Sequence, residues 1–289
     1  MARSRRTQSE RGRAKGGSRS TGRRRKPKMA ETADRHALYQ QAVQSPEADV
    51  EFFTQAFREL RGRMPKSLRE DFCGTAYLAT TWAASKRGRT AIGVDLDAPT
   101  LEWGRAHNVE PAGRSVARRV ELLCADVLDV ETPAVDVICA MNFSFCVFHD
   151  RATLRRYFEN ARRALVDDGI LVLEIYGGTE AIEAREESRP CDGFTYVWDQ
   201  DRFDPIHNRT LCYIHFRFPD RSKMERAFVY DWRLWSIPEL REVLEEAGFT
   251  SSVVYWEEVD DDGDGTGEFR RTESEEQQES FLAYVIGLK

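Results

Sequence analysis

The chain of 289 residues is 41% hydrophobic and 32% charged, a balance that builds a globular core and excludes a low-complexity or fibrous chain. No run approaches the ~18 uncharged apolar residues a membrane helix needs, the N-terminus lacks the apolar core of a secretory signal, and the six cysteines include no C-x-x-C pair. The expectation is a soluble, cytoplasmic protein with reduced thiols, no membrane contact and no bound metal. The net charge of −6 divides into +11 over residues 1–28 and −17 over the remainder.

Residues 1–28 are dominated by Arg, Ser and Gly, cannot bury enough surface to offset their conformational entropy, and are expected to be disordered. Such an arm either binds nucleic acid electrostatically or is a solvated extension, and Met29 permits a later start. Over residues 29–66 the apolar positions Leu38, Tyr39, Ala42, then Val50, Phe53, Ala56, Phe57 and Leu60 have helical spacing, interrupted at Ser45-Pro46; two helices covering the site are expected. The main domain, 67–289, opens with a strand (Ser67–Phe72), a glycine turn, a helix (Ala76–Lys86) and a strand (Thr90–Leu96). Asp97 and Pro99 start a further helix reaching about His107, followed by strands Val120–Cys124 and Val135–Met141. Leu154, Tyr157, Phe158, Ala161 and Leu165 form one face of a helix ending near Asp167-Asp168-Gly169. Ile170–Tyr176 is then a continuous apolar strand apart from Glu174.

The alternation implies a parallel sheet covered by helices on both faces. Between 191 and 235 the pattern changes to aromatic and β-branched runs (Phe194–Trp198, Thr210–Phe218, Arg226–Trp232) with a turn at Pro219–Ser222, which predicts an antiparallel insertion. Ser236-Ile-Pro-Glu239 is a capping box for a helix ending at Gly248. Val253–Trp256 and Phe281–Ile286 supply two last strands.

An open α/β sheet binds ligands beyond the carboxyl ends of its strands, and three of those ends carry acids. Glu70-Asp71-Phe72-Cys73-Gly74-Thr75 makes a turn in which Gly74 lets the backbone approach a ligand. Asp95 closes its strand 21 positions after Gly74, where an acid can hold ribose hydroxyls. Asp126 could accept from an adenine amino group. Together they outline a nucleoside site. A dinucleotide enzyme would want G-x-G-x-x-G, which Phe72-Cys-Gly74-Thr-Ala-Tyr77 does not match.

Arg69–Thr75, Gly93–Asp97, Ala125–Val127 and Asp136–Asn142 resemble successive motifs of the class I S-adenosylmethionine-dependent methyltransferases. The resemblance implies a doubly wound, seven-stranded, mostly parallel α/β sheet, with the antiparallel insertion after the fifth strand, and S-adenosyl-L-methionine as cofactor. It further implies that Glu70 or Asp71 orients the turn and the methionine amino group, while Cys73, Gly74 and Thr75 wrap the methionine part. Asp95 would bind the ribose with Leu96 against the adenine, Asp126 and Val127 would read the adenine edge, and Met141-Asn142 would face the methyl-donor end. The family's outer two glycines are replaced here by Phe72 and Ala76.

Methyl transfer from a sulfonium needs mainly orientation and exclusion of water, so no catalytic residue is assigned. The acceptor candidates are Tyr39, Ser144, Tyr176 and Trp198, beside Phe143, His149, Tyr196, Tyr213, Tyr230 and Trp232, although alternating aromatics equally suit a packed sheet face. Phe143-Ser144 after Asn142, in place of Pro-Pro-aromatic, and the acidic body disfavour nucleic-acid bases. The expected activity is methylation of a nitrogen, oxygen or carboxylate of a small molecule. Alternatives are a non-catalytic cofactor-binding or scaffold protein, or an RNA or protein methyltransferase. His207 reads as a turn residue and His215 as a sheet residue. Asp260-Asp-Asp-Gly-Asp264-Gly265 resembles the start of a calcium loop but has Arg271 at its twelfth position, and reads as a solvated acidic loop.

Overall fold

The computed structural model describes residues 26–260 and 265–289. The basic tail up to residue 25 and positions 261–264 of the acidic loop lie outside the described residues.

The N-terminal part is a short turn α1 (Met29–Thr32), α2 (Arg35–Val43) and α3 (Pro46–Arg61). Asp34 caps α2 by accepting from the amides of His36 and Ala37 at 2.8 and 3.3 Å. Ser45-Pro46 separates the helices because Pro46 sits in the first turn of α3, where its missing N–H costs nothing. The sheet domain then runs β1 (Ser67–Asp71), α4 (Tyr77–Ser85), β2 (Thr90–Asp95), α5 (Ala98–Gly104), α6 (Arg114–Ala117), β3 (Val120–Cys124), β4 (Val135–Ala140), α7 (Arg151–Arg163) and β5 (Leu165–Gly177). Next come β6 (Arg185–Cys191), β7 (Phe194–Asp204), β8 (Arg209–Arg217), β9 (Lys223–Arg233), α8 (Ile237–Glu246), β10 (Ser251–Val259), β11 (Gly265–Thr272) and β12 (Phe281–Leu288).

The main sheet has the order β11-β10-β12-β5-β4-β1-β2-β3, with β1 to β5 parallel and β12 antiparallel to β5. The seven expected strands are all present, and β11 adds an eighth, pairing antiparallel with β10 at the edge. Its sequence, Gly-Thr-Gly-Glu-Phe-Arg-Arg-Thr, carries almost no apolar signal because Phe269, packed against the core, is its one large apolar residue. One face of the sheet packs on α7 and α8 and the other on α3, α4 and α5, giving two separate apolar cores.

The insertion is a second sheet of order β6-β7-β8-β9. Strand β6 lies upstream of the aromatic runs; it reads Arg-Glu-Glu-Ser-Arg-Pro-Cys and is mostly exposed, so periodicity does not reveal it. Residues 167–169 do not end a helix. They belong to β5, as a bulge between the pairs Val135–Leu165 and Val137–Ile170, because Arg63 grips the Asp168 carboxylate and Arg61 donates to the Gly169 carbonyl at 3.0 Å. The capping box forms as read, Ser236 N donating to Glu239 at 2.9 Å. His207 lies in the turn between β7 and β8 against Asp204, and His215 lies in β8 against Asp199.

Candidate functional site

The ends of β1, β2 and β4 enclose a cavity of about 310 Å³, closed by α2 and by β9 of the insertion. Its floor is the turn after β1. Phe72, Gly74 and Ala76 have φ of +58°, +52° and +52°, so all three alternate positions take the left-handed conformation although only one is glycine. For Phe and Ala that conformation is strained by about 1–2 kcal/mol each. Phe72 is held there by its ring packing on Phe148 and Tyr157 at centroid distances of 5.8 and 5.7 Å. A Cβ on Gly74 would meet nothing nearer than Thr100 at 4.0 Å, so the concave side of the turn is open.

Asp95 ties the turn to β2, one carboxylate oxygen accepting from Gly74 N at 2.7 Å and the other from Asp97 N at 2.9 Å. Thr75 is fixed from both sides, its hydroxyl accepting from Gln40 of α2 at 2.7 Å and its carbonyl from Asn108 at 2.8 Å. Asp97 stands at the start of α5, but its side chain accepts from the Thr100 hydroxyl at 2.6 Å and caps no backbone amide.

Glu70, Cys73, Gly74, Thr75, Asp95 and Asn142 line the cavity together. Glu70 is 4% exposed; one oxygen accepts from Ala79 N at 2.8 Å and burial pushes its carboxyl up to about 8. Asp71 points to the opposite face of β1. It lies buried against Arg69, with Nη2 donating at 2.9 Å, and accepts from the Tyr157 hydroxyl at 3.0 Å, so of the alternative Glu70 or Asp71 only Glu70 faces the cavity. Leu96 is 69% exposed and stands outside the enclosed volume. Asp126 accepts from Leu128 N in its own turn at 2.9 Å, and Val127 is buried in the core beneath it; neither lines the cavity.

The acceptor candidates divide. Tyr39 and Ser144 line this cavity, as do Tyr230 and Trp232, and Tyr39 is hydrogen-bonded with Tyr230. Tyr176 and Trp198 instead line an outer cavity of about 590 Å³ under the insertion sheet, and Trp232 stands between the two, 5.9 Å from Trp198. His149 faces neither cavity; its Nε2 lies 2.8 Å from the Asp231 carbonyl. Sequence reasoning missed Arg35, His36 and Phe228, which line the α2 side and have no motif to mark them. It also missed the part played by Glu174, which accepts from the amide of Asn142; a single acid in an otherwise apolar strand is the signal for it.

Residues 71–173 match the family model for a methyltransferase domain. No curated protein matches the chain. Among solved structures it is similar to an S-adenosylmethionine-dependent methyltransferase from Clostridium acetobutylicum, with a TM-score of 0.64, 15% identity, and 88% of this chain and 97% of that one covered. It is also similar to an amino pentose methyltransferase of calicheamicin biosynthesis from Micromonospora echinaspora (TM-score 0.61, 17% identity, 86% and 95% covered). A sugar N-methyltransferase from Streptoalloteichus gives a TM-score of 0.57 at 19% identity, with 100% and 99% covered. The chain thus carries, over residues 71–173, a methyltransferase domain set in the class I S-adenosylmethionine-dependent methyltransferase fold.

Proposed function

We propose that this protein transfers a methyl group from S-adenosylmethionine to a nitrogen, oxygen or carboxylate of a small molecule. The observation that carries the reading is the turn 72–76, which keeps three left-handed positions and an open concave side despite two of its glycines being replaced. The residues around it fit the cofactor. Glu70, with one oxygen free of any hydrogen bond among the described residues, would hold the methionine ammonium. Asp95 would accept from the ribose hydroxyls while keeping Gly74 in place, and Leu96 and Asp126 would meet the adenine at the rim, with Val127, its side chain buried in the core, offering only its backbone N–H.

When bound, the cofactor supplies a methyl carbon already activated by the sulfonium. The chain therefore has to orient and to exclude water. Tyr39 and Ser144 line the cofactor cavity and would contact the acceptor at its reacting end, with Tyr176 and Trp198 contacting its outer part. Support for a small acceptor comes from the relatives, described as acting on an amino pentose, a sugar nitrogen and a glycopeptide, and from the enclosed cavities, which suit molecules of that size.

The test is turnover of methyl-labelled S-adenosylmethionine with a panel of amines, hydroxy compounds and carboxylic acids, reading labelled product and S-adenosylhomocysteine by mass spectrometry. Formation of both with one class of acceptor is expected. Tight cofactor binding with no turnover across the panel would instead establish a non-catalytic binding protein.

A further inference from the structure

Next to the cofactor cavity lies a second cavity of about 220 Å³, between α3, the end of β5, β12 and the β10–β11 hairpin. The two share Gln44, Glu70, Met141 and Asn142 in their walls, so they meet at the ends of β1 and β4 under the α2–α3 junction. Four carboxylates, Asp49, Glu70, Glu174 and Glu257, line it, and among the described residues no Lys, Arg or His does. Glu70 is nine-tenths buried and leaves one oxygen unpartnered among the described residues. Glu174 accepts from Asn142 N, Glu257 from Gly267 N at 2.9 Å, and Asp49 faces the Tyr284 hydroxyl at 3.5 Å.

Glu70 is buried and Asp49, Glu174 and Glu257 are partly buried; holding carboxylates so without a counter-charge is costly, and one cofactor ammonium at Glu70 leaves the other three without one. The chamber also offers aromatic faces, Phe52 stacked on Tyr284 at 4.2 Å and Phe269 at 4.5 Å from Tyr284, which attract a cation carried on carbon. Among the described residues no group of three or more acids, histidines or cysteines has the arrangement to hold a metal ion, so an organic cation fits better.

We infer that this chamber receives the acceptor as an amine, with Glu174 and Asp49 holding its charge beside the methyl-donor end of the cofactor. The assignment rests on the proposed function. The outer cavity shares Glu257 and Leu282 with the chamber and would take the rest of the acceptor against Tyr176 and Trp198. The chemistry balances. The acceptor ammonium gives a proton to a carboxylate, the freed lone pair forms the N–C bond, the electrons of the broken C–S bond stay on sulfur, and the product is a methylated ammonium. Burial lifts Glu174 to about 8 and Asp49 to about 7, a range in which they can exchange that proton near neutrality.

The test uses the full chain saturated with S-adenosylhomocysteine and titrated calorimetrically with choline, a product-like cation, and with its neutral isostere 3,3-dimethylbutan-1-ol. Choline is expected to bind at least tenfold more tightly than the alcohol. Glu174→Gln and Asp49→Asn should each reduce that preference at least fivefold, and Asp49→Asn, which touches no residue of the cofactor turn, should leave S-adenosylhomocysteine affinity within about twofold. Equal or absent binding of the two probes to the S-adenosylhomocysteine complex, or a preference kept by both variants, overturns the amine assignment alone. Failure of S-adenosylhomocysteine itself to bind overturns the proposed function.

Discussion

The carboxylate of Asp95, at the end of β2, accepts the backbone N–H of Gly74 in the turn after β1 at 2.7 Å. One side chain thereby fixes the turn's height and presents its remaining lone pairs to the cavity. A hydrogen bond to a charged group contributes about 1.5–3 kcal/mol, so Asp95→Ala should weaken S-adenosylhomocysteine binding by tenfold or more. The melting temperature should fall by only a few degrees. Calorimetric titration of the folded variant checks this, and unchanged affinity would mean that the ligand does not use Asp95.

The close approach of α5 to the same turn gives a contrast between two small residues. A Cβ on Gly104 would lie 2.2 Å from the Thr75 carbonyl oxygen, a backbone atom that cannot give way. Gly104→Ala is therefore expected to cost about 3 kcal/mol in denaturant unfolding. Ala76→Gly relieves left-handed strain and frees the unfolded chain in similar measure, so it should stay within about 1 kcal/mol of the parent. A large loss in Ala76→Gly would show that the turn's conformation is not set as described.

Helix α2 is latched over the cavity from both ends. Asp34 caps it and also accepts from Trp103 Nε1 at 2.6 Å, while Gln40 reaches Thr75; its apolar side packs on Phe194, Ile214 and Phe216 of the insertion. Asp34→Ala removes the cap, worth about 1 kcal/mol, together with the latch. Release of S-adenosylhomocysteine should accelerate several-fold, read by stopped-flow tryptophan fluorescence with Trp103 beside the latch. An unaltered release rate would assign α2 a purely structural part.

Burial raises the carboxyls of Asp49, Glu70 and Glu174 to about 7, 8 and 8 and lifts Glu257 as well, and Tyr284 faces Asp49 in the same chamber. An acid whose folded pKa lies above its unfolded one holds its proton more tightly when folded. It therefore favours the folded state at low pH, and that contribution is lost as pH rises from the unfolded value towards about 8. The ligand-free chain should lose stability over that window relative to Glu174→Gln, measured by paired melting curves from pH 5 to 8.5. Cation binding should release protons at pH 7, detected by calorimetry in buffers of different ionisation enthalpy.

Much of this was legible in the sequence because local rules agreed with the global fold. The β1 turn, Asp95, the Ser236–Glu239 capping box and the α7 face of Leu154, Tyr157, Phe158 and Ala161 each carry their signal within a few residues. What escaped depends on contacts made at a distance. Asp71 and Glu70 differ by one position on a strand, and only the packing of Tyr157 and Arg69 on one face decides which acid reaches the cavity. The bulge at Asp168 is set by arginines more than a hundred residues away. Strands β6 and β11 are exposed edges, where pairing and not apolar periodicity defines the strand.

The most direct measurement is calorimetric titration of the full chain with S-adenosylhomocysteine, with NAD as the control. One equivalent bound at micromolar affinity or tighter, lost at least tenfold in Asp95→Ala, with no heat from NAD, is the predicted result. Absence of S-adenosylhomocysteine binding by a folded chain, or equal binding of NAD, would contradict the assignment of the cavity between β1, β2 and β4 as the methyl-donor site.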